Sequence, residues 1–501
     1  MVLLKKLLSF GTSPRVSIVV ITIIVAIVIM CFFMLKSTSF VLNQKQGPSI
    51  LHDSLKLELV SEGLSFPTSM TFIDENNILV LEKNNGMVRL VSNGTLREDP
   101  VLKLQVDSEG ERGLLGIDVM RNNNSNDNNS NNIIDRKESD ILVYLYFTRL
   151  VKNSTNNDGD DQEQSLKNVI YRYNWDGKTL SDQKRLLELP ANPGPYHNGG
   201  KLVIGPHDHQ LYAVIGDLNS VSSIFQNFKE EGYNNNNNNK IQKREQPTSA
   251  ILRINPADGS PSIGNPFSIS ATAHGNDNAT YYNNNNSNSK SNNSDSSLIR
   301  YYYAYGIRNS FGLAFDPVTG NLWDTENGED RYDEINLVKP GFNSGWYKIM
   351  GPIARNNYDD HVGKGDSNSN NISKFELTGL NGSYYTDPLF SWQNPIGITD
   401  IEFLNSSKLG DIYRNNIFVG DINNGNLYFF EVNKTRNGLD IVDSNTDLSL
   451  LDLVADDKKE MSKVTFGNGF SGRITDIETG PDGYLYILTY LEGKLYRILP
   501  S

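Results

Sequence analysis

Residues 472–499, GRITDIETGPDGYLYILTYLEGKLYRIL, show how most of the chain folds. Short runs from Ile474, Tyr484 and Lys494 mix apolar and polar residues at the two-residue period of a strand with one buried face. Asp482-Gly483 joins the first two as a tight turn between antiparallel neighbours. The same unit recurs five times upstream. It reads FPTSMTFIDENNILVLEKNNGMVRLV from Phe66, then GLLGIDV from Gly113 followed by ILVYLYFTR and NVIYRYNW. A third copy is GGKLVIGPHDHQLYAVIGD from Gly199 with AILRINPADG, and a fourth occupies Tyr305–Trp346. The fifth comprises GITDIEFL, NNIFVGD and GNLYFFEV from Gly397. Sheet units repeating at this length form a radial array around a channel. The expectation is an all-β fold, a six-bladed β-propeller with four-stranded antiparallel blades. Lys56–Leu59 is expected to add an N-terminal strand to the last blade and close the ring, and no long amphipathic helix is expected after residue 50.

Composition narrows the function. The net charge of −13 and pI near 5.1 exclude nucleic acid as a partner, because nothing would offset phosphate repulsion. The single cysteine, Cys31, excludes an intrachain disulfide and any cysteine-based zinc site. Val16–Leu35, VSIVVITIIVAIVIMCFFML, is long and apolar enough to span a bilayer as a helix. Lys5, Lys6 and Arg15 precede it, which places the N-terminus in the cytoplasm and the rest outside. A cleaved signal peptide fits less well, since no small-residue cleavage site follows. The expected organisation is a cytoplasmic N-terminus (1–15), a transmembrane anchor (16–35), a tether (36–54) and the propeller (55–501). Asn-rich tracts at 122–132, 153–161, 234–239, 283–293 and 368–371 read as loop insertions, since they have no apolar surface to bury.

Propellers host many functions, so chemistry must be sought where first strands begin, at the channel mouth. There the chain places Gly110-Glu111-Arg112-Gly113, Tyr196-His197-Asn198-Gly199-Gly200, Arg308-Asn309 and Arg473. One hairpin beyond Arg308 lies Thr325-Glu326-Asn327-Gly328-Glu329-Asp330, rich in oxygen ligands of the kind a hard cation takes. A guanidinium beside such a loop suits an anionic ligand next to that cation. The alternative is an ordinary hairpin with solvated acidic turns. Of the six histidines, His207 and His209 fall in an exposed turn, and His52, His274 and His361 in tether or insertions. His197 alone sits where a channel-facing base would be, and a turn histidine without a task is the alternative.

At these residues the chain resembles the soluble PQQ-dependent sugar dehydrogenases: soluble glucose dehydrogenase, aldose sugar dehydrogenase and the glucose/sorbosone dehydrogenase group. The pieces that carry the resemblance are ERGLLGI, HNGGKLVIGP with AVIGD, YGIRNSFGLAFDP, TENGEDRYDEINLV with NSGW, and GRITDIETGPDGYLYILT, in family order from about residue 60 to 500. The resemblance implies an enzyme that oxidises a sugar at its anomeric hydroxyl, with PQQ and Ca²⁺ as cofactors and an external electron acceptor. It implies that His197 is the general base and that Arg308 stabilises charge at the quinone's reacting edge. Asn309 and Asn327 would then line the cofactor pocket, Glu111 would lie near the substrate end, and Arg473 would pair with a quinone carboxylate. Backbone carbonyls of Gly328 and Glu329 would hold the quinone's Ca²⁺, and Glu334 would ligate a second, structural one. The chain departs from soluble glucose dehydrogenase at Tyr196, Glu329, Ser344, Asn423 and Thr475, the last two replacing a lysine and an arginine. These departures point towards the aldose-dehydrogenase branch. Two other classes remain open at this point: a calcium-dependent propeller hydrolase of the lactonase kind, and a non-catalytic surface-binding propeller.

Overall fold

The computed structural model describes residues 47–121, 141–152, 164–221, 224–227, 247–268, 295–355, 377–441 and 449–501. Six antiparallel sheets follow one another along the chain. Blade one comprises Pro67–Phe72, Asn77–Glu82 and Met87–Ser92, with its outer position shared by the short strands Thr95–Leu96 and Leu102–Lys103. Blade two is a long meander of Leu114–Arg121, Ile141–Lys152, Gln164–Trp175 and Leu180–Pro190. Blade three joins Leu202–Ile204, Leu211–Ile215, Ala250–Ile254 and Tyr302–Tyr305, and blade four Ser310–Phe315, Leu322–Glu326, Asp333–Val338 and Phe390–Trp392. Blade five runs through Ile398–Phe403, Ile417–Asp421, Leu427–Val432 and Thr465–Asn468.

Blade six holds Ile474–Thr479, Leu485–Thr489 and Lys494–Pro500, completed by Leu55–Ser61 from the other end of the chain. Leu57 faces Ile498 and Leu55 faces Pro500 in that pairing, so the ring closes as expected. First strands of neighbouring blades pack on one another from blade one round to blade six and back. They line the axis, which puts their N-terminal ends and the exits of the second strands at one mouth.

The core is not one mass. It is a set of apolar layers, each filling the space between two adjacent blades. Trp323, Ile335, Phe390 and Trp392 of blade four interdigitate with Ile417, Tyr428 and Phe430 of blade five. Met70 and Val80 of blade one meet Leu488 and Leu495 of blade six, so the closing seam is as apolar as the others.

Three blades carry more than the expected four strands. Blade five gains two short strands: Leu439–Asp440, paired with Glu431 and Val432, and the edge strand Ser49–Ile50, paired with Gly467 and Asn468, so the stretch read as tether already contributes to the propeller. Blade four gains Val454–Ala455, which lies parallel to Phe390–Trp392. One short helix, Lys458–Val464, is capped by the Asp457 carboxylate, which accepts from the Lys459 and Glu460 N–H groups. The outer strands of blades three and four were not legible because each is short and follows an Asn-rich insertion. The apolar segment 16–35 and all five Asn-rich tracts lie outside the described residues, and no described helix is long and apolar enough to cross a membrane.

Candidate active site

Blade three supplies the centre of the site. The chain entering its first strand turns through His197 in the left-handed region (φ 59°), a conformation that bulky residues adopt when surrounding contacts enforce it. The His197 N–H donates to Glu111 Oε2 at 2.7 Å, and Asn309 Nδ2 donates to the same oxygen at 3.1 Å. Glu111 of blade two, His197 of blade three and Asn309 of blade four are thereby joined. The Gly199 N–H donates to Asn309 Oδ1 at 3.2 Å, and the Asn327 N–H to the Asn309 carbonyl at 2.8 Å.

The imidazole is buried and lies 2.6 Å through Nδ1 from Asp217 Oδ1. A carboxylate there makes Nδ1 the protonated nitrogen and leaves Nε2 as a lone-pair acceptor. Asp217 is itself held in place. Its Oδ2 accepts from Trp346 Nε1 at 2.9 Å, its Oδ1 from the Asn219 N–H at 2.7 Å, and its own N–H donates to the Arg308 carbonyl at 2.9 Å. Gly216, one residue before, has no room for a side chain: a Cβ would lie 2.5 Å from the His197 carbonyl and 2.7 Å from that of Arg308. Asp217 and Trp346 carried no assigned role in the sequence, although both fall within the motifs AVIGD and NSGW. The signal was positional. Asp217, Asn327 and Asn423 each leave the second strand of a blade at the mouth.

Arg308 is poised by its backbone. Its N–H donates to Glu326 Oε1 at 2.7 Å, and Nη1 donates to the Asn327 carbonyl at 3.1 Å. The guanidinium carbon stands 5.4 Å from the centroid of the Trp346 ring. Nε is buried and has no hydrogen-bond acceptor among the described residues. Burial raises the Glu326 carboxyl to about 7, against the opposing pull of the Arg308 N–H, Ser344 and the guanidinium.

The remaining predicted residues are not drawn into this cluster. Glu329 is exposed at the tip of its loop. Gly328 is packed so tightly that a Cβ would lie 2.0 Å from the Arg331 carbonyl and 2.6 Å from that of Tyr332. Glu334 is buried inside blade four, accepting from the Gly351 N–H and from Asn336 Nδ2 at 3.2 Å. Burial and then the neighbouring Glu326 charge hold its carboxyl well above the usual range. Arg473 is exposed at the start of blade six, with φ 64°. Among the described residues no three His, Cys, Asp or Glu side chains converge as a metal cage. Ca²⁺ at this mouth would therefore depend on backbone carbonyls such as those of Gly328 and Glu329.

The axis below the site is plugged. Lys201, four residues after His197, places Nζ 2.7 Å from Asp400 Oδ1 of blade five and 2.8 Å from Asp476 Oδ1 of blade six, all three buried. Asp400 Oδ2 accepts from the Ile477 N–H at 3.0 Å, and Asp476 Oδ2 from the Met70 N–H at 2.7 Å. One ammonium thus ties four blades together. Burial alone would lower its pKa, but Asp400 and Asp476 outweigh that and raise it well above the usual value.

The mouth thus brings an imidazole paired with a carboxylate into the same cluster as the Arg308 guanidinium. A family model described as Glucose / Sorbosone dehydrogenase matches residues 64–497. The chain belongs to that family, and is an oxidoreductase of the PQQ-dependent dehydrogenase kind. The quinoprotein glucose dehydrogenase B of Acinetobacter calcoaceticus is 26% identical over 319 residues, which is 62% of this chain and 56% of that protein. The aldose sugar dehydrogenase of Escherichia coli is 28% identical over 202 residues, 40% of this chain and 43% of its own length. The apo structure of the soluble Escherichia coli enzyme superposes with a TM-score of 0.58 at 20% identity, covering 89% of this chain and all of the other. That likeness shows the same propeller fold.

Proposed function

We propose that this protein is a membrane-anchored, extracytoplasmic quinoprotein that oxidises the anomeric hydroxyl of aldose sugars to lactones and passes the electrons to an external acceptor. The observation that carries the reading is the His197–Asp217 pair set beside Arg308. With Nδ1–H turned to Asp217, Nε2 takes the proton from the sugar's anomeric hydroxyl. Asp217 then stabilises the imidazolium that results, held in register by Trp346 and Asn219. The Arg308 guanidinium would face the cofactor's oxygens, Asn309 and Asn327 would line its pocket, and Arg473 would be a further cation at the rim. Bound PQQ supplies the two-electron acceptor for the anomeric hydride. The carbonyls of Gly328 and Glu329 would hold its Ca²⁺, and Glu334 a second ion within blade four.

The hydrolase alternative fits less well. It asks for an open carboxylate-rich metal site on the axis, where the Lys201 ammonium instead sits between Asp400 and Asp476. The full-length chain incubated with PQQ and Ca²⁺ should retain the near-ultraviolet absorbance of the quinone through gel filtration and reduce a dye when given aldoses. Arg308→Lys keeps the charge but loses the planar fork, so both quinone retention and turnover should fall. A wild-type chain that takes up no quinone would leave the surface-binding alternative in its place.

The anchor rests on Val16–Leu35 and on the basic residues before it. Protease added to intact cells is expected to cut the propeller's loops. Protection until lysis would reverse the topology.

A further inference from the structure

We infer that the exported propeller is N-glycosylated at Asn93, Asn381 and Asn405, in three turns at the end of the ring opposite the catalytic mouth. This inference rests on the extracytoplasmic part of the proposed function. The donor it calls for is an oligosaccharide carried on a lipid phosphate or pyrophosphate.

The acceptor pattern is Asn-x-Ser/Thr with any residue but proline between. Asn93-Gly94-Thr95, Asn381-Gly382-Ser383 and Asn405-Ser406-Ser407 satisfy it. In a chain this rich in asparagine such triplets also arise by chance, so their placement has to decide. First strands start at the mouth, and third strands end at the far side. Asn93 follows the third strand of blade one, and its N–H donates at 2.8 Å to the carbonyl of Asn76, in the turn after the first strand. Asn405 stands just beyond the first strand of blade five. Its neighbour Ser406 lies against the Asp482-Gly483 turn of blade six, where a Cβ on Gly483 would be 2.5 Å from the serine Oγ. Asn381 is beside the turn that follows the third strand of blade four, where a Cβ on Gly341 would be 2.5 Å from the Gly382 carbonyl.

The mouth offers the contrast. Asn84, Asn192, Asn219, Asn394, Asn423 and Asn424 are exposed in its loops. None of them has Ser or Thr two residues on. Exposed asparagines thus stand at both ends of the described propeller, and acceptors at one. Glycans placed there leave the entry to His197 and Arg308 clear.

The amides are also free to react. Asn93, Asn381 and Asn405 are exposed, and their side chains make no hydrogen bond among the described residues. A fourth triplet, Asn433-Lys434-Thr435, follows the third strand of blade five, but its half-buried amide is committed. Asn433 Nδ2 donates to Asn437 Oδ1 at 3.3 Å, and Oδ1 accepts from Thr435 Oγ1 and the Asn437 N–H, each at 3.1 Å. Asn433 is therefore left out of the assignment. Transfer joins Asn Nδ2 to the anomeric carbon of the first sugar and breaks that carbon's bond to a phosphate oxygen. The lipid phosphate leaves with the electron pair, the amide gives up one proton, and nothing is oxidised or reduced.

The test is peptide mass spectrometry on the full-length chain isolated from the cells that make it. Oligosaccharide is expected on the Asn93, Asn381 and Asn405 peptides of most copies, and on neither Asn433 nor the six mouth asparagines. Thr95→Ala, Ser383→Ala and Ser407→Ala break the pattern but keep the asparagine, so each should lose its own site alone and run one step faster on a denaturing gel. Thr95→Ser keeps the pattern and should stay modified, which separates lost transfer from misfolding. Glycan on Asn433 as heavy as on the other three would overturn selection by a free amide. Protease added to the same intact cells keeps the two readings apart. If it reaches the propeller and the three asparagines are bare, the inference is refuted and the topology stands. If the propeller is protected until lysis and bare, the topology falls and the inference falls with it.

Discussion

Replacing His197 with Gln is expected to slow aldose oxidation by ~10²–10⁴, the range a positioned general base contributes. Quinone uptake should stay close to wild type, because the imidazole is paired with Asp217 and the contact to Glu111 is made by the backbone N–H, which Gln keeps. Asp217→Asn should cost a similar factor for a different reason. An amide can turn its NH₂ towards Nδ1, which favours the tautomer with the proton on Nε2, where it cannot accept one. The two variants together separate a base from a folding defect. Trp346 Nε1 can still donate to the amide oxygen that Asp217→Asn leaves in place, so that variant should melt within a few degrees of wild type. His207→Gln, in the exposed turn of blade three, is the control and should leave turnover unchanged. A His197 variant that oxidises aldoses at nearly the wild-type rate would remove the imidazole from the mechanism.

Lys201→Met should strongly destabilise the propeller. Removing one partner of a buried ion pair costs ~3–5 kcal/mol, because the other charge stays buried without compensation. Here two carboxylates, Asp400 and Asp476, lose the same ammonium. The loss should depend on pH, and the sign is fixed. Burial already raises Asp400 well above the usual carboxylate range, with Lys201 pulling the other way. Without Lys201 the folded state holds the Asp400 proton more tightly still. A raised folded-state pKa gives stability at low pH that is lost as pH rises, so the deficit should be larger at pH 8 than at pH 5. Urea unfolding at the two pH values measures it. A deficit below about 1 kcal/mol at pH 8 would show that the axial carboxylates do not rely on Lys201.

Much of the fold could be read residue by residue. Alternation and Asp-Gly, Asn-Gly and Asp-Pro turns are local properties, and they marked the inner strands of every blade. The ring closure was visible too, since Lys56–Leu59 has the pattern of a strand and the sixth repeat lacks a fourth. Outer strands were lost where three or four residues follow a long polar insertion, as at Phe390–Trp392. For the site, the ends of first strands pointed to Glu111, His197, Arg308 and Asn309, and the structure brings those four together.

What remained hidden in the chain was everything that depends on closure of the ring. Asp217 meets His197 across 20 residues, Trp346 meets Asp217 across 129, and Lys201 meets Asp476 across 275. No periodicity encodes such pairs, because hydrophobic pattern sets which face of a strand is buried and says nothing about which strands face one another over an axis. The radial stacking of six apolar layers sets that geometry. It carries a carboxylate behind an imidazole, and a lysine between two aspartates, into positions that the order of residues alone leaves open.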